Sequence, residues 1–173
     1  MGFDNFEITA TGPLTIRDAH TGEVLWIGAG RIEQPTASSV AIDEYDALMR
    51  RLYLRLHRKL WNWIADETER THKCVDKWDA FKHFGWNVSI DSQCWACRYM
   101  RWRRKYDPFV ENCYDHCLLD WGVNERTGKK VACIDNDIYN QTIYEIWRHY
   151  AYRYDWERAA KAARIIANLP ERE

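Results

Sequence analysis

Two cysteine pairs constrain this chain more than any other feature: Cys94-Trp95-Ala96-Cys97 and Cys113-Tyr114-Asp115-His116-Cys117. Each pair sits on a tight turn, and the segment between them is long enough to fold back and close a tetrahedral cage around zinc. Soft thiolates exclude magnesium and calcium, and the filled d-shell of zinc imposes no geometry of its own. Cys94, Cys97, Cys113 and Cys117 are therefore expected to hold zinc, with His116 as the alternative to Cys117 in the fourth position. Four protein ligands leave no place for a water, so the expected zinc is structural. The other reading, buried free thiols, rarely arrives as two spaced pairs.

A catalytic zinc needs an open position and a nearby carboxylate base, and the chain has no His-Glu-x-x-His or His-x-Glu pattern. It also has no Ser-His-Asp set, Walker-type loop or hydride-cofactor motif. Gly28-Ala29-Gly30 lacks the third glycine and the following helix of a phosphate-binding loop, and reads as a strand end. Asp115, Asp120, Asp135 and Asp137 are scattered over loops and a helix start, where caps and solvated turns are their ordinary use. His57 and His149 read as core or surface histidines. His72 and Cys74, with Cys133, match no recurrent metal spacing, and Cys133 reads as a small buried hydrophobe. No catalytic residue is expected, and the chain is expected not to be an enzyme.

At 173 residues one compact domain spanning 1–173 is the default. Lys+Arg 25 against Asp+Glu 26 leaves a net charge of −1, which excludes a globally basic nucleic-acid coat. The start of the chain lacks a basic segment followed by an apolar one, and no window approaches the ~20 apolar residues of a membrane span. A reducing cytoplasm is the expected setting, where clustered cysteines are metal ligands rather than disulfides. Ten Trp and ten Tyr exceed what a core of this size requires.

Residues 6–32 read as a β-hairpin: Leu14-Thr15-Ile16-Arg17 and Glu23-Val24-Leu25-Trp26-Ile27 flank the turn-forming Asp18-Ala19-His20-Thr21-Gly22. A long helix is expected over 39–66, where Tyr45, Met49, Leu52, Leu56, Leu60 and Trp63 recur at three- and four-residue steps. Leu48, Leu54 and Trp61 widen that stripe, so the helix should be covered on more than one side by the hairpin, the last helix or a second subunit. A homodimer fits the last option. A short helix over 77–84 should end at Gly85, residues 94–134 form the zinc-binding segment, and one or two helices follow over 136–168 until Pro170 stops them. The expected class is α+β: an N-terminal β-hairpin, two long packed helices and a zinc-bound loop region between them.

Between the cysteine pairs, Arg98, Arg101, Arg103, Arg104 and Lys105 alternate with Tyr99, Trp102 and Tyr106. Cations among aromatic rings grip phosphates while the rings stack on bases, which marks Arg98, Arg101, Trp102, Arg103, Arg104 and Lys105 as candidate ligand-binding residues. The plainer reading is that they offset the negative thiolate cluster and pack their stems on tryptophans.

Three further segments stand out: Leu60-Trp61-Asn62-Trp63-Ile64-Ala65, Cys117-Leu118-Leu119-Asp120-Trp121-Gly122, and Ile166-Ala167-Asn168-Leu169-Pro170. With the cysteine pairs, they make residues 45–170 resemble a family of small bacteriophage proteins. That family's second pair is often Cys-x-x-Cys followed by Pro, whereas three residues separate Cys113 from Cys117 and Leu118 follows. The resemblance implies a virus-encoded protein acting in the cytoplasm of a bacterial host. Together these features predict a phage accessory protein with structural zinc that works by binding. It would inhibit a host defence by sequestering a signal nucleotide or a defence protein. The alternative is a zinc-stabilised nucleic-acid-binding or regulatory protein using the Arg-rich segment on phosphates.

Overall fold

Helix α1 (Ser39–Thr71) runs for 33 residues, and the other helices are arranged around it. A computed structural model of the chain describes residues 6–9, 14–18, 24–28, 39–86, 94–104, 113–134 and 141–172. Strands β1 (Phe6–Thr9), β2 (Leu14–Asp18) and β3 (Val24–Gly28) precede α1, and α2 (Lys77–His83), α3 (Trp95–Arg103), α4 (Cys113–His116), α5 (Ile143–Tyr152) and α6 (Trp156–Ala167) follow it. No described helix is long and apolar enough to cross a membrane.

The broad apolar face of α1 decides the architecture. Met49, Leu52, Leu56, Leu60, Trp61 and Ile64 are all buried, too many for one neighbour to cover. Helices α2, α3 and α6 pack on α1, and α5 packs on α6. From α6 come Ala159, Ala162, Ala163, Ile166 and Ala167. These small side chains let the α6 backbone approach α1 closely. The described core is thus built of helix on helix.

This corrects the expected α+β class. The protein is mainly helical, and the strands do not form a layer on which helices pack. Residues 6–28 carry three short antiparallel strands in the order β1-β2-β3, with a register irregularity between Ile16 and Arg17, in place of a two-stranded hairpin. Of these strands only β3 approaches α1. Period-two alternation reports that a segment is extended, but it carries no information on whether other elements use the resulting sheet as a floor.

Helix ends follow their local chemistry. α1 continues past Asp66, through an exposed turn held by the Glu67–Arg70 ion pair and by Thr71 Oγ1 donating to the Glu67 carbonyl at 2.7 Å. It stops where His72 takes φ 53°. Reciprocal capping boxes start α2 (Asp76 with Asp79) and α5 (Thr142 with Glu145). In the C-terminal region Tyr154, at φ 60°, breaks the helix, and Asp155 caps α6 by accepting from the Arg158 N–H. The expected start of this region at Asn136 lies outside the described residues.

The end of the chain is pinned to the segment after Cys117. Asp120 N–H donates to the Pro170 carbonyl at 2.9 Å and Arg172 N–H to the Leu118 carbonyl at 2.9 Å. Arg172, almost wholly buried, also reaches the Val131 carbonyl at 3.3 Å. These bonds fix the backbone beside the second cysteine pair.

Candidate metal centre and the adjoining cavity

The cysteine cluster forms at the start of α3. Cys94 precedes the helix and accepts the Arg98 N–H at 3.2 Å through its backbone carbonyl, which puts Cys97 in the first turn. Their sulfurs stand 3.9 Å apart, and both thiols are reduced. A disulfide holds its sulfurs near 2.05 Å. A tetrahedral zinc with Zn–S of about 2.3 Å separates two sulfurs by about 3.8 Å. The pair therefore already has the length of one edge of a zinc site.

Other donors surround that edge. Cys133 hydrogen-bonds with the Cys97 thiol, and Cys113 lies near enough to act on it electrostatically. Cys117 is buried near Cys94 and Cys113. Its sulfur accepts the Trp121 indole N–H at 3.3 Å and a bond from the Leu119 backbone. N–H donors aimed at a sulfur are the partners that a thiolate ligand uses. His116 is half-buried at the last residue of α4. Among the described residues no three or more His, Cys, Asp or Glu side chains are already gathered into a metal-binding group. Metal would have to draw the remaining donors onto the Cys94–Cys97 edge.

The surroundings hold the Cys94, Cys97 and Cys117 thiols in their neutral form. The hydrogen bond with Cys97, followed by burial, pushes Cys94 up to about 12. The hydrogen bond with Cys133 and burial push Cys97 up to about 12 as well. Burial raises Cys117, against the opposing effect of its N–H donors. A metal ion bound by these thiols would have to displace their protons, so its affinity would fall as pH falls.

Next to the thiols lies a cavity of about 760 Å³, in the usual range for small-molecule sites. Cys94, Cys97 and Cys133 open onto it, and Trp61, Trp121, Tyr144 and Trp147 form its aromatic wall. Trp61 and Trp147 meet edge to face at 4.9 Å, and Tyr144 lies over Trp147 at 5.7 Å. Lys77 and Arg148 also line it, together with Asp76. Lys77 Nζ donates to the Tyr144 hydroxyl at 3.0 Å, which sets its ammonium against the aromatic wall. The Trp61 indole is buried, and its N–H has no hydrogen-bond partner.

The cationic segment after Cys97 is helical rather than a loop. Arg98, Arg101 and Arg103 lie on α3, and Arg104 follows it with its N–H on the Met100 carbonyl at 3.0 Å. The Arg98 guanidinium covers the Trp95 ring at 5.4 Å, and Arg103 pairs with Asp46 at 3.8 Å. None of these arginines lines the cavity. Trp102 belongs to α3 by its backbone, and Lys105 lies outside the described residues.

Two donors assigned no chemical role from sequence, Cys133 and His57, stand in this region. Cys133 joins Cys97, while His72 stacks on Trp156 at 4.4 Å and Cys74 lies near Asp155 at the start of α6. His57 is completely buried beside Cys94. The spacing of the ten tryptophans in sequence does not say which indoles converge on the cavity.

No known protein family, curated protein or solved structure matches the chain.

Proposed function

We propose that the protein acts by binding, with zinc held at the cysteine cluster as its structural centre and the adjoining cavity taking a planar, anionic small molecule of the nucleotide class. The observation that carries this reading is the cavity wall itself, where Trp61, Trp121, Tyr144 and Trp147 stand together with Lys77 and Arg148. A purine or pyrimidine stacks on such rings and its phosphate meets the cations. Zinc held there would support the same reading, because Cys94, Cys97 and Cys133 line the cavity and a metal on them would fix that side of it. In a bacterial cytoplasm, the setting that the resemblance to small bacteriophage proteins implies, such a protein would withdraw a signal nucleotide from a host defence.

The test is a titration of the zinc-loaded protein with linear and cyclic mono- and dinucleotides, read by tryptophan fluorescence and calorimetry. Saturable one-to-one binding, weakened by Arg148→Ala and by Trp147→Leu, supports the reading. Absence of binding by every nucleotide at millimolar concentration contradicts it.

A further inference from the structure

His57 sits on α1, and its surroundings are those of a metal ligand rather than of a core histidine. The register of α1 against α3 brings it to the cysteines. Asp46 meets Arg103 and also accepts from the Tyr99 hydroxyl at 2.7 Å, and one to two turns on Tyr53 packs on Tyr99 and Trp95 at 6.1 Å. The two helices therefore run antiparallel. One further turn along α1 lies His57, opposite the start of α3, and its ring stands beside Cys94.

The two ring nitrogens have different fates. Nε2 lies 3.3 Å from the Ile166 carbonyl in the last turn of α6, an oxygen that also accepts the Asn168 and Leu169 N–H groups at the end of the helix. A carbonyl only accepts, so Nε2 carries the proton and donates. Nδ1 is then a bare lone pair, fully buried and without a hydrogen bond of ordinary geometry, while the Cys94 thiol lies within hydrogen-bonding reach of the ring. This is the arrangement of a metal-bound imidazole: one nitrogen fixed by an N–H bond to a backbone carbonyl, the other aimed at the ion. The alanine-lined contact of α6 with α1 brings that carbonyl within reach.

We infer that His57 Nδ1 is a ligand of the metal, completing with Cys94, Cys97 and Cys117 a site of three sulfurs and one nitrogen. The inference rests on the zinc reading above and specifies its fourth donor. Cys117 supplies the third sulfur because it is buried and accepts the Trp121 and Leu119 N–H bonds, whereas Cys113 is half-buried. Charge favours the same set. Three thiolates and a neutral imidazole around Zn²⁺ sum to −1, and four thiolates to −2, so the mixed site places less charge beside the buried Trp61 and Cys94.

X-ray absorption at the zinc edge of the full-length protein tests this, on the natural sequence and on His116→Ala. The variant is needed because His116 is the other imidazole close to the cysteine pairs. The expected result in both proteins is three sulfurs at about 2.3 Å and one imidazole nitrogen at about 2.0–2.1 Å. Four sulfurs without imidazole, or an imidazole that vanishes in His116→Ala, overturns the assignment of His57 while leaving zinc in place. Protein that takes up no zinc overturns both the assignment and the reading beneath it. Cobalt substitution gives a second readout, since the visible bands of a three-sulfur, one-nitrogen site differ from those of a four-sulfur site.

Discussion

Leu60→Ala measures how much the helical packing around α1 contributes. Leu60 has 0% exposure in the middle of that helix. Truncation removes about three carbons, worth about 2.4 kcal/mol at ~0.8 kcal/mol per buried methylene. Incomplete collapse of the neighbours adds a cavity contribution, bringing the total to about 3–4 kcal/mol. Alanine is the best helix former, so no propensity loss confuses the measurement. For a chain of this size 1 kcal/mol moves the melting temperature by about 2–4 °C, so the predicted drop is roughly 6–16 °C. The control is Ile165→Ala on α6, a position that is 52% exposed. Its cost should stay near ~0.5 kcal/mol, a shift of about 2 °C or less. Thermal melts followed by circular dichroism, on protein with the same metal content, decide the matter. Equal shifts for the two variants, or a Leu60→Ala melt within 2 °C of the natural protein, would refute the placement of α1 at the centre of the core.

Thr142→Ala removes the side-chain acceptor that starts α5 and should lower stability by about 1 kcal/mol, read from urea midpoints; an unchanged midpoint would mean the capping box contributes nothing. Burial and the hydrogen bond to Asp46 raise the Tyr99 hydroxyl above its ordinary range, so its neutral form belongs to the folded state. The sign follows: this contribution is complete below the unfolded value near pH ~10 and is lost as pH rises beyond it. Stability should therefore fall on the alkaline side above pH ~10, and Tyr99→Phe should flatten that decline; the same alkaline slope in both proteins would contradict the assignment. Finally, Arg101, Arg103 and Arg104 lie away from the cavity, so their joint replacement by alanine should leave nucleotide affinity nearly unchanged. Lys77→Ala with Arg148→Ala should weaken it roughly tenfold or more, and the reverse order of effects in the same titration would return the binding role to α3.

The helices were largely legible because burial writes its period into the chain. Met49, Leu52, Leu56 and Leu60 mark the face of α1, and Asp76 and Thr142 carry cap chemistry that local sequence alone reveals. The last turn of α1 was not legible, since Glu67 to Thr71 are held by an ion pair and a side-chain bond rather than by an apolar stripe. The break before α6 was marked only by Asp155, because Tyr154 adopts a left-handed conformation that its residue type does not announce. The fold class was misread because alternation in 14–27 reports extended backbone and not the size or role of the sheet. At the candidate site the close cysteine spacing stood out, but Cys133 and His57 did not. Both reach the cluster through long-range packing, His57 through the crossing of α1 with α3 and α6, and no local pattern encodes such a meeting.

Native mass spectrometry of the protein purified from bacterial cells, with metal analysis on the same sample, tests the account most directly. A single mass corresponding to one zinc per chain, with a further nucleotide-sized mass released on denaturation, is the predicted result. Metal-free protein that stays folded and carries no small molecule would contradict it.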